Sequence, residues 1–214
     1  MVYNKNTILG DIDEIRIKKI LSLIGQNKHI LDIGCYNGAI TKRIEGQNNQ
    51  VYGIDASLPA IKLAQKKHLK VKHLILENNW SKKINQKFDV VFAGEIIEHI
   101  FDTDNFLQNI RHLLKPQGSL IITTPNIASL GRRIYLLLGI SPIIETTSRN
   151  TDSGHIRYFT KKTLCKLLSE NGFLFQKFTS TAVNFANKKG YHSKILADLF
   201  PQIGSHIIIK FVKK

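Results

Sequence analysis

The chain has 214 residues, 43% hydrophobic and 22% charged, ordinary usage for one globular domain that can bury a core without metal or disulfide staples. Its two cysteines, Cys35 and Cys165, lie in unrelated contexts, which excludes a disulfide framework and a Cys-rich zinc site. The net charge of +15 and pI of 9.8 raise nucleic acid or an anionic membrane as partners, but the basic residues are 24 Lys against 7 Arg. With 31 Ile and 16 Asn alongside, that is the usage of AT-rich coding, whereas a nucleic-acid site favours arginine. The longest apolar run, Ile134–Ile140, has seven residues against the roughly 20 that span a bilayer. The opening MVYNKNTILGDIDE lacks the apolar stretch and cleavage site of a signal peptide, so a cytoplasmic location is expected.

The predicted elements alternate. An amphipathic helix is expected over 11–24, with Ile12, Ile15, Ile20, Leu23 and Ile24 at helical spacing. A strand at 29–33 leads through a glycine-bearing turn into a helix from about Gly38, then a strand at 50–54 and a helix from Ser57 to about Lys67. Strands are predicted at 71–76 and 88–93, and a helix at 102–114 with Phe106, Ile110, Leu113 and Leu114 on one face. A buried strand follows at 119–123. The apolar stretch 134–140, preceded by Arg132 and Arg133, reads either as a helix packed on the core or as a basic-apolar lid, and 141–153 is turn-rich. Thr160 suits the cap of a helix with Leu164, Leu167 and Leu168 inward; strands at 173–179 and 206–212 flank a short helix at 191–199. This order predicts a single-domain, Rossmann-like, doubly wound α/β sheet of seven strands, mostly parallel. The last strand is antiparallel and the final pair forms an antiparallel edge.

Ligands of such sheets lie beyond the carboxyl ends of the strands. The first strand ends Ile30-Leu31-Asp32-Ile33-Gly34-Cys35-Tyr36-Asn37-Gly38, with glycines where the backbone must turn and approach a ligand. Asp55 ends the second strand 23 residues after Asp32, where an acid suits the two hydroxyls of a ribose. The turn is not G-x-G-x-x-G, which argues against a dinucleotide.

Five segments in this order, ILDIGCYNG, VYGIDAS, FDVVFAGEIIEHI, LLKPQGSLIITTPN and GHIRYFT, resemble the class I S-adenosylmethionine-dependent methyltransferases. The likeness runs from about Asp11 to the end and is greatest to the branch holding ubiquinone-pathway O-methyltransferases and enzymes of glycan and natural-product clusters. The resemblance implies S-adenosyl-L-methionine as cofactor. Asp32, Gly34 and Gly38 would line its methionine part, Asp55 would bind its ribose, and Ala56 or Ser57 would flank its adenine, with Tyr36 stacking near that ring and Cys35 and Glu95 also in the cofactor site. Glu77 and Asn78 would lie near the adenine amine. It also implies a helical segment at 1–28 and acceptor-side insertions at 126–160 and 181–204. The chain departs from the pattern at Tyr36, where the family's loop usually has a glycine that reaches positive φ easily.

Glu95-Ile96-Ile97-Glu98-His99 follows the fourth strand, where the transferable methyl is expected. Methyl transfer to oxygen needs an acceptor placed in line and a group to take its proton. His99, Glu98 and His155, the last on the loop before a late helix, are the candidates, and a structural role for either histidine stands beside this. Glu95, Glu98, His99 and His155 also make a plausible set for a divalent cation such as Mg²⁺. That set resembles the metal sites of small-RNA 2′-O-methyltransferases and of ubiquinone-pathway O-methyltransferases.

The expected reaction is therefore O-methylation of a small-molecule acceptor: a sugar, glycan precursor or quinone-like phenol. The alternatives are an RNA ribose methyltransferase, suggested by the charge, and a non-catalytic S-adenosylmethionine-binding protein, suggested by Tyr36. No stacking aromatic cluster or appended RNA-binding region supports the first. The stretch 134–140 allows peripheral membrane contact with a lipid-linked acceptor. Lys62, Lys66, Lys67, Lys70 and Lys72 read as a solvated face, Trp80 as core or an adenine neighbour, and the oligomeric state is not encoded legibly.

Overall fold

In the computed structural model, residues 11–142, 154–185 and 192–214 are described. The helix α1 (Asp11–Ile24) precedes β1 (His29–Ile33), α2 (Ala39–Glu45), β2 (Gln50–Asp55), α3 (Leu58–Gln65) and β3 (Val71–His73). Then come β4 (Phe88–Gly94), α4 (Thr103–Leu113), β5 (Leu114–Pro125), α5 (Leu130–Leu137), α6 (Lys161–Glu170) and β6 (Phe173–Thr179). The chain closes with a small ribbon, β7 (Val183–Asn184) and β8 (His192–Ser193), followed by α7 (Lys194–Leu199) and β9 (His206–Lys213).

The main sheet has seven strands in the order β3-β2-β1-β4-β5-β9-β6. All pairs are parallel except those made by β9, which runs antiparallel to both β5 and β6. The last strand is thus antiparallel as expected, but it lies inside the sheet and β6 takes the edge. Its run Ile207-Ile208-Ile209 is fully buried, as a strand covered on both faces requires. The strand order reverses between β1 and β4, so the loops after these two strands open the crevice where a ligand fits.

Local chemistry explains the helix boundaries. Ser57 caps α3 by accepting from the Ala60 N–H, Asp102 caps α4 through the Asn105 N–H, and Thr160 with Thr163 forms a capping box on α6. Helix α4 puts Phe106, Leu107, Ile110 and Leu113 into the core, against Trp80 and Phe88 on one side of the sheet. On the other side α1 lays Ile20, Leu23 and Ile24 over Ile30, Val90 and Ile121.

Several boundaries differ from the sequence reading. Strand β3 stops at His73, although the Leu74 N–H still reaches the Asp55 carbonyl at 2.9 Å. Strand β5 starts directly after α4 at Leu114 and shifts register against β4 between Phe88 and Val90, taking up the Lys115–Gly118 turn. Helix α5 buries none of its side chains, which overturns the core-helix alternative for 134–140. The late helix begins at Lys194, after a ribbon too short to show in the pattern. Turn-rich 141–153 lies mostly outside the described residues, as does residue 191.

The two expected insertions meet beside the carboxyl end of β5. Helices α5 and α7 both pack on β7, and Asn126 donates to the carbonyls of Gln202 and Gly204 at 3.0 and 2.9 Å. No described helix is long and apolar enough to cross a membrane.

Candidate active site

At the ends of β1 and β2 the backbone itself builds a cradle. Gly34 stands at φ +75°, and its N–H and that of Cys35 both donate to the Ile54 carbonyl, at 2.8 and 3.1 Å. A Cβ on Gly34 would strike the Ile96 side chain, so the position needs glycine for conformation and for space. Tyr36 adopts φ +46°, the left-handed region a non-glycine residue enters at a cost. Its N–H is held at 2.8 Å by Asp55 Oδ2, so the loop closes despite the missing glycine.

Asp55 bridges two loops. Its second oxygen accepts from the Ser57 N–H at 2.7 Å, so the carboxylate ties the β1 loop to the β2 loop, while the helix cap falls to Ser57. Asp32 is buried, accepts from the Thr41 hydroxyl at 2.7 Å, and is pushed up to about 6 by burial, with the nearby Asp55 charge adding and the Thr41 bond opposing. Ala56 is exposed and Ser57 half-buried beside the same crevice.

Glu77 and Asn78 lie beyond β3 and line a cavity of about 250 Å³ with Trp80, His99, Phe101 and Asn105. Trp80 is fully buried against Phe106, ring centroids 6.3 Å apart, which makes it a core residue with one edge on the cavity. Its indole N–H has no hydrogen-bond partner.

The four residues proposed as a cation set divide. Glu95, at φ +56°, accepts from Thr123 Oγ1 at 2.7 Å and pairs with Arg16 at 3.4 Å; His206 lies 3.9 Å from its other oxygen. Burial pulls His206 below the usual imidazole range, and the charge of Glu95 opposes this. Arg16, which also bonds Asp13 at 2.9 Å, thus joins the site from α1. In the sequence it is one more polar residue on an amphipathic helix, with no spacing to mark it.

Glu98, His99 and His155 come together, with candidate ligand atoms within 4.8 Å of one another. This corrects the four-residue set: Glu95 is turned toward α1 and β9. Glu98 is 1% exposed; one oxygen accepts from Thr124 at 3.0 Å, and the other has no hydrogen-bond partner and lies 3.8 Å from His155 Nε2. Burial, reinforced by the charge of Glu95, pushes its carboxyl far above the usual carboxylate range. The His99 and His155 ring centroids are 4.9 Å apart. His99 Nδ1 is 3.0 Å from the Gly154 carbonyl, which can only accept, so Nδ1 carries the proton and neutral His99 keeps its lone pair on Nε2.

The residues 13–175 match the family described as methyltransferase domain, and the chain belongs to that family. It is 30% identical over 164 residues to the human mitochondrial ubiquinone biosynthesis O-methyltransferase, covering 72% of this chain and 44% of that protein. It is 26% identical over 145 residues to the ubiquinone biosynthesis O-methyltransferase of Coxiella burnetii, covering 65% and 62%. The chain thus spans about half to three-fifths of the length of these relatives. The fold is similar to an S-adenosylmethionine-dependent methyltransferase of Thermotoga maritima, with TM-score 0.67, 17% identity and coverage of 96% and 90%. It is also similar to the N-methyltransferase NodS of Bradyrhizobium japonicum in complex with S-adenosylhomocysteine, with TM-score 0.63, 15% identity and coverage of 95% and 88%.

Proposed function

We propose that this chain transfers the methyl group of S-adenosylmethionine to an oxygen of a small-molecule acceptor with neighbouring hydroxyls: a sugar, a glycan precursor or a quinone-like phenol. The observation that carries the reading is the buried Glu98 oxygen without a hydrogen-bond partner, beside two imidazoles at the carboxyl end of β4. A buried polar atom left unpaired disfavours folding, so its persistence here points to a ligand. The family match and the two named O-methyltransferase relatives support the reaction class.

The roles follow from position. Gly34, Cys35, Tyr36 and Gly38 shape the loop that borders the cofactor's methionine part, and Asp32 fixes that loop's base. Asp55 has lone pairs left for the ribose while its backbone bonds keep it in place. Glu77 and Asn78 face the adenine, with Ala56 and Ser57 alongside. Arg16 holds Glu95 at the end of β4. In the transfer, the acceptor oxygen bonds to the methyl carbon as the carbon–sulfur bond breaks, and S-adenosylhomocysteine leaves. The acceptor proton passes to His99 Nε2, and His155 and Glu98 keep that nitrogen beside the acceptor.

Glu98, His99 and His155 would also offer a divalent cation one carboxylate oxygen lacking a hydrogen bond and two imidazoles within reach, a set that suits an imidazole-binding ion better than Mg²⁺. Bound there, such an ion lowers the pKa of an acceptor hydroxyl. The exposed face of α5, with Leu136 at 66% and Leu137 at 86% exposure beside Arg133, supports peripheral contact with an anionic membrane that presents a lipid-linked acceptor.

The test is calorimetric titration with S-adenosylhomocysteine, then an acceptor screen read by its release, with EDTA and Mg²⁺ arms. Binding and turnover of a hydroxylated acceptor are expected. A chain that binds no S-adenosylhomocysteine lacks the proposed activity; turnover that depends on RNA and collapses with salt moves the acceptor to the ribose of a nucleic acid.

A further inference from the structure

We propose that Arg157 is a positioning residue that assembles the Glu98–His99–His155 cluster by latching segment 154–157 onto the turn after β4. The proposal rests on the reading of that cluster as the reacting site. The segment forms no helix or strand of its own, so nothing in its local conformation dictates where His155 points. Phe159 is anchored further along by its pairing with Asn126 and Ile127, and what ties the segment to the cluster is a set of bonds to the 3-10 turn Ile97–His99 and the residues just after it. The N–H groups of Ile156 and Arg157 both donate to the Glu98 carbonyl, at 3.0 and 3.1 Å. The Arg157 side chain then reaches further along the same stretch, with Nε donating to the Ile100 carbonyl at 3.0 Å and Nη2 to the Phe101 carbonyl at 2.6 Å.

These acceptors are main-chain carbonyls of the turn and of the stretch that follows it, which can only accept. Two successive carbonyls call for a planar fork with fixed donor spacing, which guanidinium has and ammonium lacks. The clamp closes a short ring of structure. Glu98 and His99 sit on one side and His155 on the other, two residues before Arg157. The His99 Nδ1 bond to the Gly154 carbonyl spans the same joint. Without the fork, the two main-chain bonds, that imidazole bond and the Phe159 pairing with Asn126 and Ile127 would have to hold the segment. Groups that orient ligands in this way typically change affinity or activity by about 10- to 100-fold when removed.

The test uses the full chain, with Mn²⁺ as probe and histidine-labelled protein for NMR. Wild type is expected to give a ring-to-ring NOE between His99 and His155. Arg157→Ala should lose it, weaken Mn²⁺ binding by about 10- to 100-fold, and leave S-adenosylhomocysteine affinity unchanged. Arg157→Lys should keep a weaker NOE and recover part of the Mn²⁺ affinity. It also stands in if the alanine variant fails to fold. In the His155→Ala background, Arg157→Ala should add nothing, because the two act as one unit. A wild type that shows the NOE but binds no Mn²⁺ removes the cation and leaves the latch, which the NOE then decides. An Arg157→Ala protein that keeps both NOE and Mn²⁺ affinity overturns the proposal. So does a parallel loss of Mn²⁺ affinity, S-adenosylhomocysteine affinity and melting temperature.

Discussion

The two halves of the crevice are built differently. At the ends of β1 and β2, the acids are tied to nearby groups: Asp32 to the Thr41 hydroxyl, and Asp55 to the N–H groups of Tyr36 and Ser57. Beyond β4 and β5, Glu98 leaves one oxygen without a hydrogen bond, α5 buries no side chain, and His155 is held by bonds to a distant turn. The first half is a cradle set by its own loops. The second is an assembly of separate segments brought together by long-range contacts. Under the proposed function, cofactor binding falls to the half closed by its own loops and acceptor choice to the half assembled from distant segments.

The sharpest way to break that contrast is His99→Ala. Turnover of an acceptor found by screening should fall about 10²- to 10⁴-fold, with S-adenosylhomocysteine affinity unchanged in calorimetry. Equal losses of both would mean that the two halves are one unit.

Asp32 gives the next effect, on stability. Its carboxyl in the fold titrates at about 6 against an ordinary value of 3.8, so the charged form is the disfavoured one. The sign follows: below pH 3.8 the group is neutral in both states, and stability is lost as pH rises from 3.8 to about 6, by about 3 kcal/mol in all. Asp32→Asn, which keeps an acceptor for Thr41, should gain on wild type across that window in denaturant melts. A constant difference from pH 4 to 7 would refute the buried charge.

Asp55 sharpens the cradle itself. Asp55→Asn should weaken S-adenosylhomocysteine binding by about one to two decades, the worth of a charge-assisted pair. Asp55→Ala should go further and also broaden the Tyr36 amide resonance, because both tethered loops are released. Identical behaviour of the two variants would confine Asp55 to the ribose.

The smallest effect belongs to α5. Leu137→Glu, at a position 86% exposed, should change stability by no more than about 0.5 kcal/mol while lowering co-sedimentation with anionic vesicles. A large loss of stability would show that α5 belongs to the core.

Much of the first half was legible in the sequence, because its signals are short-range. ILDIGCYNG places a buried strand, a glycine turn and a helix start within nine residues, and Asp55 follows at the distance of one strand–helix–strand unit. The strand–helix alternation likewise forecast a mostly parallel sheet, since parallel neighbours need a crossover between them. Where pattern alone was weak, boundaries moved: β3 lost three residues and β5 gained its early turn.

The sequence by itself determined the main strands and helices, the cradle residues and the Glu-x-x-Glu-His stretch, because each depends on neighbours a few residues apart. Only the tertiary structure decided that β9 lies between β5 and β6, that Arg16 meets Glu95, and that His155 joins Glu98 and His99 while Glu95 turns away. The side-chain pairings span 57 residues of chain from Glu98 to His155, at 3.8 Å, and 79 from Arg16 to Glu95, at 3.4 Å. No local propensity encodes such a distance. It is set when burial of the sheet's two faces leaves one arrangement of crossovers, and the loops at its carboxyl edge are carried into contact.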